Sequence, residues 1–545
     1  MSIASEISRI QTAKADLKTA IENKGVTVPS STKLDGYADL VDSIEQGGSG
    51  TVESNDVEFI DYDGTIVASY SAAEFANLAA FPDNPDHTAD GLVSQGWNWT
   101  LSEAKTYMAD HKGLIIGQMY TTDDGATRIT INLTDNKSTF YLYFTQSKTN
   151  GVTINWGDGS PVETGSSTTI TITHSYTLAG TYIISLLPED NCTLTIPYSP
   201  YNFTIMIGGR SSSTDNDRNS VIAINIGKNV AAENNPFGML GRLRTITLSN
   251  NIGTCKFWRC THLKALVLPP SITALPSNFA ENCFSLVKIS LPNTITTFGS
   301  GAFRYCYALK KITIPNSVTS LGSEAIRDSL SLENVQLSNY ADIPDFCFYN
   351  CRSLKEINIP NSVVSINNYA FGDSSVTSVV IPDSVTSLGN SVFANCYKLQ
   401  ELVIGNGITN LGSGLCYYCK SLRKIVIPDN ITGAFNGIGS YCQSLENIIL
   451  PSTITAIGNS AFDGYYILDH LDIPSSVTSI GTSCINTALR YLVLRSVSPP
   501  TLGNASNSLG STSFTFPIYV PDSAIEAYKS AYTNYASRIK GISER

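Results

Sequence analysis

The dominant pattern of the chain is a set of apolar positions that recurs about every 23 residues between residues 218 and 497. In the copy that begins at Cys306, Ile312 and Ile314 alternate with polar residues, a proline follows, and Val318 comes next. A fixed period of this length predicts a solenoid, in which each coil buries its apolar edge only by stacking on its neighbours. Because solenoids present long surfaces rather than deep clefts, binding is the first functional hypothesis and catalysis a distant second.

One position of the repeat holds cysteine in most copies. Adjacent coils of a parallel solenoid lie about 4.8 Å apart, so a disulfide could bridge neighbouring cysteines. The position also accepts serine, aspartate and tyrosine, so the fold does not require bridging and we expect a ladder of small buried thiols. Cys416 and Cys419 form a single CxxC, which without a second pair does not predict zinc. The cysteine position falls at Cys260, Cys283, Cys306, Ser329, Cys351, Asp373, Cys396, Cys419, Cys442 and Tyr465.

Two runs of the repeat carry a specific family resemblance. Ile381-Pro-Asp-Ser-Val-Thr-Ser-Leu-Gly389 and Ala394-Asn-Cys-Tyr-Lys-Leu399 follow the signature of BspA-like leucine-rich repeats almost letter for letter. The resemblance covers residues 218–497. It implies short strands with proline-marked exits, stacked into a rod.

Residues 135–197 alternate in short β runs around two motifs, Trp156-Gly-Asp-Gly159 and His174-Ser-Tyr176. They resemble the polycystic-kidney-disease (PKD) type of immunoglobulin-like domain. The resemblance implies a rigid β-sandwich spacer, with Trp156 and Tyr182 in its core and His174 in a structural role.

Residues 55–134 predict a small α+β domain. Two Ser/Thr-x-x-Glu capping boxes, which start at Ser71 and Thr100, predict helices near 72–80 and 101–111. Paired strand-like runs separated by Asp- and Gly-containing turns predict two hairpins. Their strands are 57–60 with 65–69, and 114–120 with 127–133.

The first 46 residues predict a helical attachment or oligomerisation segment. Apolar residues at steps of three and four indicate an amphipathic helix over residues 3–24, which either forms a coiled-coil seam or folds back on residues 34–44. Residues 10–29 resemble the start of phage and prophage structural proteins, and residues 47–54 read as a flexible linker. The apolar face consists of Ile3, Ile7, Ile10, Leu17 and Ile21.

The region after the repeats predicts a closing cap. Residues 498–545 contain a third capping box, from Ser523 to Glu526, followed by apolar residues on one helical face. A helix of this kind would cover the last coil and protect its strand edge. Residues 198–217, between the sandwich and the repeats, read as a linker.

Charge and composition exclude several classes of function. Only 15% of residues are charged, the formal net charge is −11, and the acidic excess lies in the first 217 residues. We therefore expect no nucleic-acid binding and no membrane insertion. The chain opens with polar residues at helical spacing, so we expect no secretory leader and release within a phage particle instead.

No motif predicts catalysis. The chain has five histidines, and no HExxH, GxSxG, Walker or dinucleotide-binding motif is present. His262 and His470 lie about nine coils apart, so they cannot share one site. We predict no catalytic residues, no cofactor and no metal.

The positive chemical signal is aromatic. Tyrosines cluster around the cysteine position, and a tyrosine offers a stacking face and a hydroxyl that suit sugar rings and flat protein epitopes. The alternative is that each ring only shields the loops of its own repeat. The candidate ligand-binding residues are Tyr305, Tyr307, Tyr349, Tyr397, Tyr417, Tyr418, Tyr441 and Tyr466.

These patterns predict a multi-domain, mainly β protein. A leucine-rich repeat solenoid follows an N-terminal helix, a small α+β domain and an immunoglobulin-like sandwich. The preferred function is a phage tail or virion protein that binds a bacterial surface glycan or protein receptor. It would attach to other tail proteins through its N-terminus as a homo-oligomer, with a trimer as one arrangement. The alternatives are a bacterial cell-surface adhesin and a spacer without a ligand.

Overall fold

The computed structural model describes residues 56–111, 113–134, 136, 138–196, 220–232, 237–250, 252, 255–337, 340–487 and 489–545. The predicted attachment segment (1–46), the linker at 47–54 and the linker at 198–217 lie outside the described residues. Within them, the protein is mainly β, with few helices and a leucine-rich repeat solenoid of about 13 turns.

The α+β unit is a four-stranded sheet with two helices. The strand order is β2-β1-β4-β3, with β1 antiparallel to β2 and parallel to β4. Both predicted capping boxes form, at Ser71 and Thr100, and both helices end earlier than predicted. The elements are β1 (Val57–Ile60), β2 (Ile66–Tyr70), α1 (Ala72–Ala76), a 3-10 helix (Thr88–Asp90), β3 (Leu92–Trp97), α2 (Leu101–Met108) and β4 (Leu114–Thr122).

The predicted second hairpin is wrong. β4 (Leu114–Thr122) pairs with β1 and β3, whereas the next strand, β5 (Thr127–Leu133), pairs with strands of the sandwich. The Asp-Asp-Gly turn between β4 and β5 therefore joins two different sheets. The pairing of a strand depends on the apolar faces available to it, which local turn chemistry does not determine.

The sandwich contains two sheets around one core. Trp156 is fully buried, and its ring stacks on His174, which also contacts the Asp158 carboxylate at 2.8 Å. Tyr176 is buried and its hydroxyl donates to the Trp156 carbonyl at 2.9 Å, whereas Tyr182, predicted in the core, is only half-buried. The strands are β5, β6 (Ser138–Gln146), β7 (Val152–Asn155), β8 (Glu163–Thr164), β9 (Thr169–Tyr176), β10 (Gly180–Pro188) and β11 (Leu194–Ile196).

Both sheets of the sandwich continue directly into the solenoid. The first solenoid strand, β12 (Val221–Asn225), pairs with β5 in antiparallel orientation, and β13 (Val230–Ala232) pairs with β11 in parallel. The buried side chains of the two regions form a single hydrophobic cluster. The sandwich is thus the N-terminal cap of the rod, in contact with its first coil.

The solenoid carries two columns of short strands. The first column contains β12, β14, β15, β17, β19, β21, β24, β26, β27, β30, β32, β34 and β35, and the other strands form the second. After β13 the strands are β14 (Thr245–Thr247), β15 (Ala265–Val267), β16 (Ala274–Leu275), β17 (Lys288–Ser290), β18 (Thr297–Phe298), β19 (Lys311–Thr313), β20 (Ser320–Leu321), β21 (Asn334–Gln336), β22 (Asp342–Ile343), β23 (Ser365–Ile366), β24 (Ser378–Ile381), β25 (Ser387–Leu388), β26 (Glu401–Ile404), β27 (Lys424–Val426), β28 (Gly433–Phe435), β29 (Ile454–Ile457), β30 (His470–Ile473), β31 (Ser479–Ile480), β32 (Tyr491–Leu494), β33 (Thr501–Leu502), β34 (Ile518–Val520) and β35 (Ile539–Gly541).

All twelve cysteines are unpaired and buried, as predicted for small core thiols. Each thiol of the ladder donates to a carbonyl of the preceding coil, as in Cys283 to Phe257 at 3.0 Å, and Ser329 does the same with its hydroxyl. The prediction that Asp373 belongs to the ladder is wrong. Ser374 occupies the ladder position of that coil and contacts Cys396 of the next coil, whereas Asp373 lies one residue earlier and bonds Asn395. The ladder satisfies buried backbone acceptors, which explains why serine replaces cysteine there.

The α+β unit packs on the first strand column of the solenoid, an interface that the sequence did not predict. Asn98 is buried and donates through Nδ2 to the Leu268 carbonyl at 3.0 Å. The Ser290 hydroxyl lies 3.1 Å from Asn98 Oδ1 and 2.8 Å from the Ile115 carbonyl oxygen, to which it donates. Buried polar groups in this interface are therefore matched across it.

Close approach of β4 to the solenoid depends on a glycine. A Cβ atom on Gly117 would lie only 2.5 Å from Cγ1 of Val267, so no larger residue fits without displacing the strand. Beside it, Trp99 is buried and donates through Nε1 to the Leu291 carbonyl at 2.8 Å. The first strand column is thus covered from β15 to β19.

The C-terminal region packs against the last coil. The predicted apolar face is buried at Tyr528, Tyr532 and Tyr535. The predicted capping box is wrong: Ala524 occupies the N-cap without a side-chain hydrogen bond, since residues from Asp522 already form a 3-10 turn. The helices are 3-10 Asp522–Ala524, α3 (Ile525–Ala531), 3-10 Thr533–Arg538 and 3-10 Ile542–Glu544.

Candidate ligand-binding edge

The loops beside the thiol ladder form one edge of the solenoid, which we call the aromatic edge. The residue before the ladder position has a left-handed backbone, with φ of 62° at Tyr305, 59° at Tyr418 and 66° at Tyr441. Asn282, at the same position of another coil, shares this conformation (φ 62°). Asparagine is the usual non-glycine residue in this conformation, so tyrosine is an uncommon residue at these sites.

The aromatic residues of the edge separate into three groups rather than one stripe. Between the first and third groups, the position after the ladder is held by Leu330, Arg352 and Ser375, none of which is aromatic. The aromatic residues along this edge are therefore discontinuous.

The first group is Phe284, Tyr305 and Tyr307. The rings of Phe284 and Tyr307 are parallel, with centroids 5.0 Å apart, and Tyr305 meets Tyr307 edge-on. The Arg304 guanidinium lies 5.6 Å from the centre of the Tyr305 ring and is paired with Glu281 at 2.6 Å. The positive charge of Arg304 in this group is therefore neutralised by the Glu281 carboxylate.

The second group is Phe346, Tyr349 and Tyr369. Phe346 and Tyr369 stack at 5.0 Å, and Tyr349 contacts both edge-on. Arg327 lies over Phe346 and Tyr349 and forms an ion pair with Asp328 at 2.9 Å. The pKa of Tyr349 is raised to about 12, mainly because the phenol is partly buried and secondly because the Asp373 carboxylate is nearby.

The third group is the most aromatic, with Tyr397, Tyr417, Tyr418 and Tyr441. Tyr418 stacks on Tyr441 at 4.5 Å, and Tyr417 meets Tyr418 edge-on at 4.6 Å. The Lys420 ammonium lies 5.8 Å from the Tyr397 ring centre and 5.7 Å from that of Tyr418. Among the described residues, no carboxylate lies within ion-pair distance of Lys420, in contrast to the arginines of the other groups.

The structure places the eight candidate tyrosines as follows. Tyr307, Tyr397, Tyr417 and Tyr466 are exposed, and Tyr305, Tyr349, Tyr418 and Tyr441 are half-buried. Tyr465, their neighbour in sequence, is fully buried in the thiol ladder. The binding role of the eight stays a prediction.

Two aromatic residues of the edge were missed by the sequence reasoning. Phe346 and Tyr369 both have a left-handed backbone, with φ of 54° and 53°. They occupy equivalent positions in consecutive repeats, and that recurrence was a readable signal. The charged partners Arg304 and Arg327 also lie one repeat apart.

Chemically, the edge offers ring faces, phenol hydroxyls and the Lys420 ammonium group, which has no carboxylate at ion-pair distance within the described part of the chain. This combination suits stacking and hydrogen bonding rather than bond cleavage. In the part of the chain that the structure describes, no three His, Cys, Asp or Glu side chains converge to hold a metal ion. In the same residues, no helix has the length and apolar character needed to cross a bilayer.

The repeats match one family model. A BspA-type leucine-rich repeat region of six copies matches residues 232–342, 328–438 and 434–520, which together cover more than half of the chain. No curated protein sequence matches the chain.

Several solved structures resemble the chain weakly. A leucine-rich repeat protein from Bacteroides ovatus is 22% identical over 64% of this chain and 92% of its own, with a TM-score of 0.37. A leucine-rich cell surface protein from Faecalibacterium prausnitzii is 21% identical over 53% and 86%, with a TM-score of 0.30. The pneumococcal vaccine antigen PcpA is 15% identical over 65% and 84%, with a TM-score of 0.36. At these TM-scores the similarities carry no argument about function.

Proposed function

The chain belongs to the BspA-type leucine-rich repeat family, and we propose that it is an adhesion protein whose aromatic edge binds a surface glycan or protein. Members of this family are typically non-enzymatic binding proteins, generally found at the cell surface. The observation that carries the proposal is the third aromatic group. Tyr417, Tyr418 and Tyr441 contact one another there, and the Lys420 ammonium lies near the rings of Tyr418 and of Tyr397 on the preceding coil. The rings of Tyr397 and Tyr417 are exposed rather than part of the core, so they are available for a ligand.

The finer proposal concerns where the protein works. We place it on a phage tail or virion, attached to other tail proteins through residues 1–46 as a homo-oligomer. This rests on the resemblance of residues 10–29 to phage structural proteins. Several copies on one particle would turn weak contacts into firm adhesion through effective concentration.

A bacterial cell-surface adhesin is the second candidate, and the general location of the family favours it. Immunogold electron microscopy of cultures that express the gene separates the two locations. Label on phage particles supports the virion proposal, and label on cell envelopes supports the adhesin. On particles, deletion of residues 1–46 should remove the label, because attachment is assigned to that segment.

The binding proposal is tested with the full chain, fluorescently labelled and coupled to dextran for multivalency, by flow cytometry on a panel of bacterial strains and epithelial cells. We expect saturable binding to particular cells, reduced at least tenfold when Tyr397, Tyr417 and Tyr441 are changed to alanine together. The matched control changes Val162, Leu178 and Ile183, exposed apolar residues of the sandwich, to alanine. Equal binding by the two triple variants would contradict the assignment of the edge.

A further inference from the structure

The outer face of the first strand column contains an exposed aliphatic stripe. We use the name outer column for the set of residues that lie two positions before the proline of each repeat, or at the same position in repeats where another residue replaces the proline. In the covered part, Val267, Ser290 and Thr313 are all buried. Further along, Val380 and Ile449 are 59% and 84% exposed. From Val267 to Ile449 the outer column consists of Val267, Ser290, Thr313, Gln336, Asn358, Val380, Val403, Val426 and Ile449, and Asp472 follows on the next coil.

Four consecutive β-branched residues form the open end of this column. Val380, Val403 and Val426 are directly aligned on neighbouring strands, and Ile449 follows on the next coil. Parallel sheets are normally covered on both faces, and contiguous aliphatic surface is uncommon on a soluble protein. In this sheet the chain's own α+β unit supplies the cover over the first coils, so the open end continues an established intramolecular interface.

The path of the chain shows what can reach the open end. The α+β unit enters its sheet at β1, whose Glu58 lies 2.8 Å from Lys288 of β17. The Leu114 amide donates to the Asp56 carbonyl at 2.8 Å, and the adjacent Gly113 carbonyl accepts from the Thr313 hydroxyl of β19, so Asp56 lies beside the next coil. Read backward from Glu58 to Asp56, the chain therefore advances along the rod, toward the open end.

The lengths agree. From β19 to the coil of Ile449 there are six strand spacings, about 29 Å at 4.8 Å each. The ten residue-to-residue steps from position 46 to Asp56 span up to about 35 Å when the chain is extended. Residues before position 47 can therefore reach every open coil of the column.

We propose that residues 3–24 cover the open end of the outer column, Val380 to Ile449, in the same chain. Their structure lies outside the described residues, and their sequence predicts an amphipathic helix of about 30 Å. Its apolar residues Ile3, Ile7 and Ile10 recur about once per 5.4 Å turn. Laid along the rod, such a helix presents one apolar residue for roughly each strand spacing of the column. The proposal concerns the unattached chain and does not rest on the ligand-binding role of the aromatic edge.

Thiol labelling of the full chain tests the docking. Because all twelve native cysteines are buried, a cysteine introduced on the surface is the main reactive thiol. Ile449→Cys reports on the column, Val380→Cys is a second reporter, and Val497→Cys, at a residue 67% exposed and away from the column, is the matched control. We expect maleimide to react at least tenfold more slowly with the two column variants than with the control. Adding Ile7→Asp and Ile10→Asp should remove that difference.

Two outcomes would overturn the proposal. Column variants that react within twofold of Val497→Cys would show that nothing covers the stripe. Protection that grows with protein concentration, together with a doubled mass in light scattering, would identify a second copy as the cover. Circular dichroism confirms that each variant is folded before its rate is interpreted.

Discussion

The covered and open parts of the first strand column share the same coil geometry but carry opposite surfaces. Where β4 crosses the rod, the outer column has small or polar residues, Ser290 and Thr313, buried beneath the α+β unit. Three coils beyond Thr313 the column reaches Val380, and Val380, Val426 and Ile449 are exposed to solvent. The repeat requires apolar residues at the inward positions, whereas the residue at this outward position differs from coil to coil. Differences along the rod therefore record what each coil contacts.

The largest effect should come from a charge placed in the covered column. Ser290→Lys puts an ammonium beneath β4 with no acid aligned to it, and an uncompensated buried charge costs about 3 to 5 kcal/mol. We expect the α+β unit to lose its cooperative unfolding with the rod, measured by urea denaturation and tryptophan fluorescence. Asn358→Lys, at the same position of an exposed coil, should stay within about 0.5 kcal/mol of the parent for unfolding of the rod. An equal loss of unfolding free energy in the two variants would show that the covered and open parts of the column do not differ in burial.

A smaller effect is expected from the polar contact at the centre of the interface. Asn98→Ala removes a side chain that bonds the Leu268 carbonyl and accepts from the Gly117 amide at 2.9 Å, which leaves buried groups unpaired. The loss should be about 2 kcal/mol, seen as lower urea midpoints and faster amide exchange in β4. Asn358→Ala, on an exposed coil of the same column, is the control and should change neither measurement.

The two ion pairs at the start of these strands give a finer comparison. Lys288 and Glu58 join the α+β unit to the rod at 2.8 Å, and both side chains are largely buried. Glu58→Gln should cost about 1 kcal/mol. Glu401 and Lys424 are paired on the open face and more exposed, so Glu401→Gln should cost a few tenths of a kcal/mol at most and vanish in 0.5 M salt. An equal cost for both would mean that solvent reaches the interface.

The smallest effect is a gain. Burial lowers the pKa of Lys311 below its ordinary 10.5, so folding favours the neutral amine and the charged form carries a penalty. Lys311→Met removes that penalty and should stabilise the protein by less than about 1 kcal/mol at pH 7. The gain should shrink as the pH rises toward 10.5, where the unfolded lysine also loses its proton. Unfolding free energies of the parent and of Lys311→Met at pH 7 and pH 10 check this.

The sequence predicted the repeat because its inward positions obey a strict period that any coil must satisfy. Ile312, Ile314 and Val318 are buried as the pattern required. The same logic misplaced one ladder residue, since a coil shortened by one residue leaves Asp373 and Ser374 equally plausible in sequence. Hydrogen bonding to Cys396 selects Ser374.

What failed depends on contacts between distant segments. The pairing of Thr127–Leu133 with Val221–Asn225 is decided by the shared core, and a turn motif beside the first strand cannot reveal it. The packing of the α+β unit on the first strand column could not be predicted for the same reason. At the candidate site, tyrosine positions were predictable, whereas their separation into groups required Leu330 and Arg352 to be read as interruptions.

The continuous sheets between sandwich and rod bear on the order in which the protein is made. An N-terminal domain leaves the ribosome first and usually folds as a unit. Once β5 and β11 are in place, their edges are ready-made templates for β12 and β13, and each finished coil then serves the next. The coils would thus fold one after another from the sandwich toward the C-terminus, and the C-terminal helix would end the series by covering the last coil. A nascent chain that lacked the sandwich would have to nucleate its first coil unaided, with an open edge exposed to neighbouring chains.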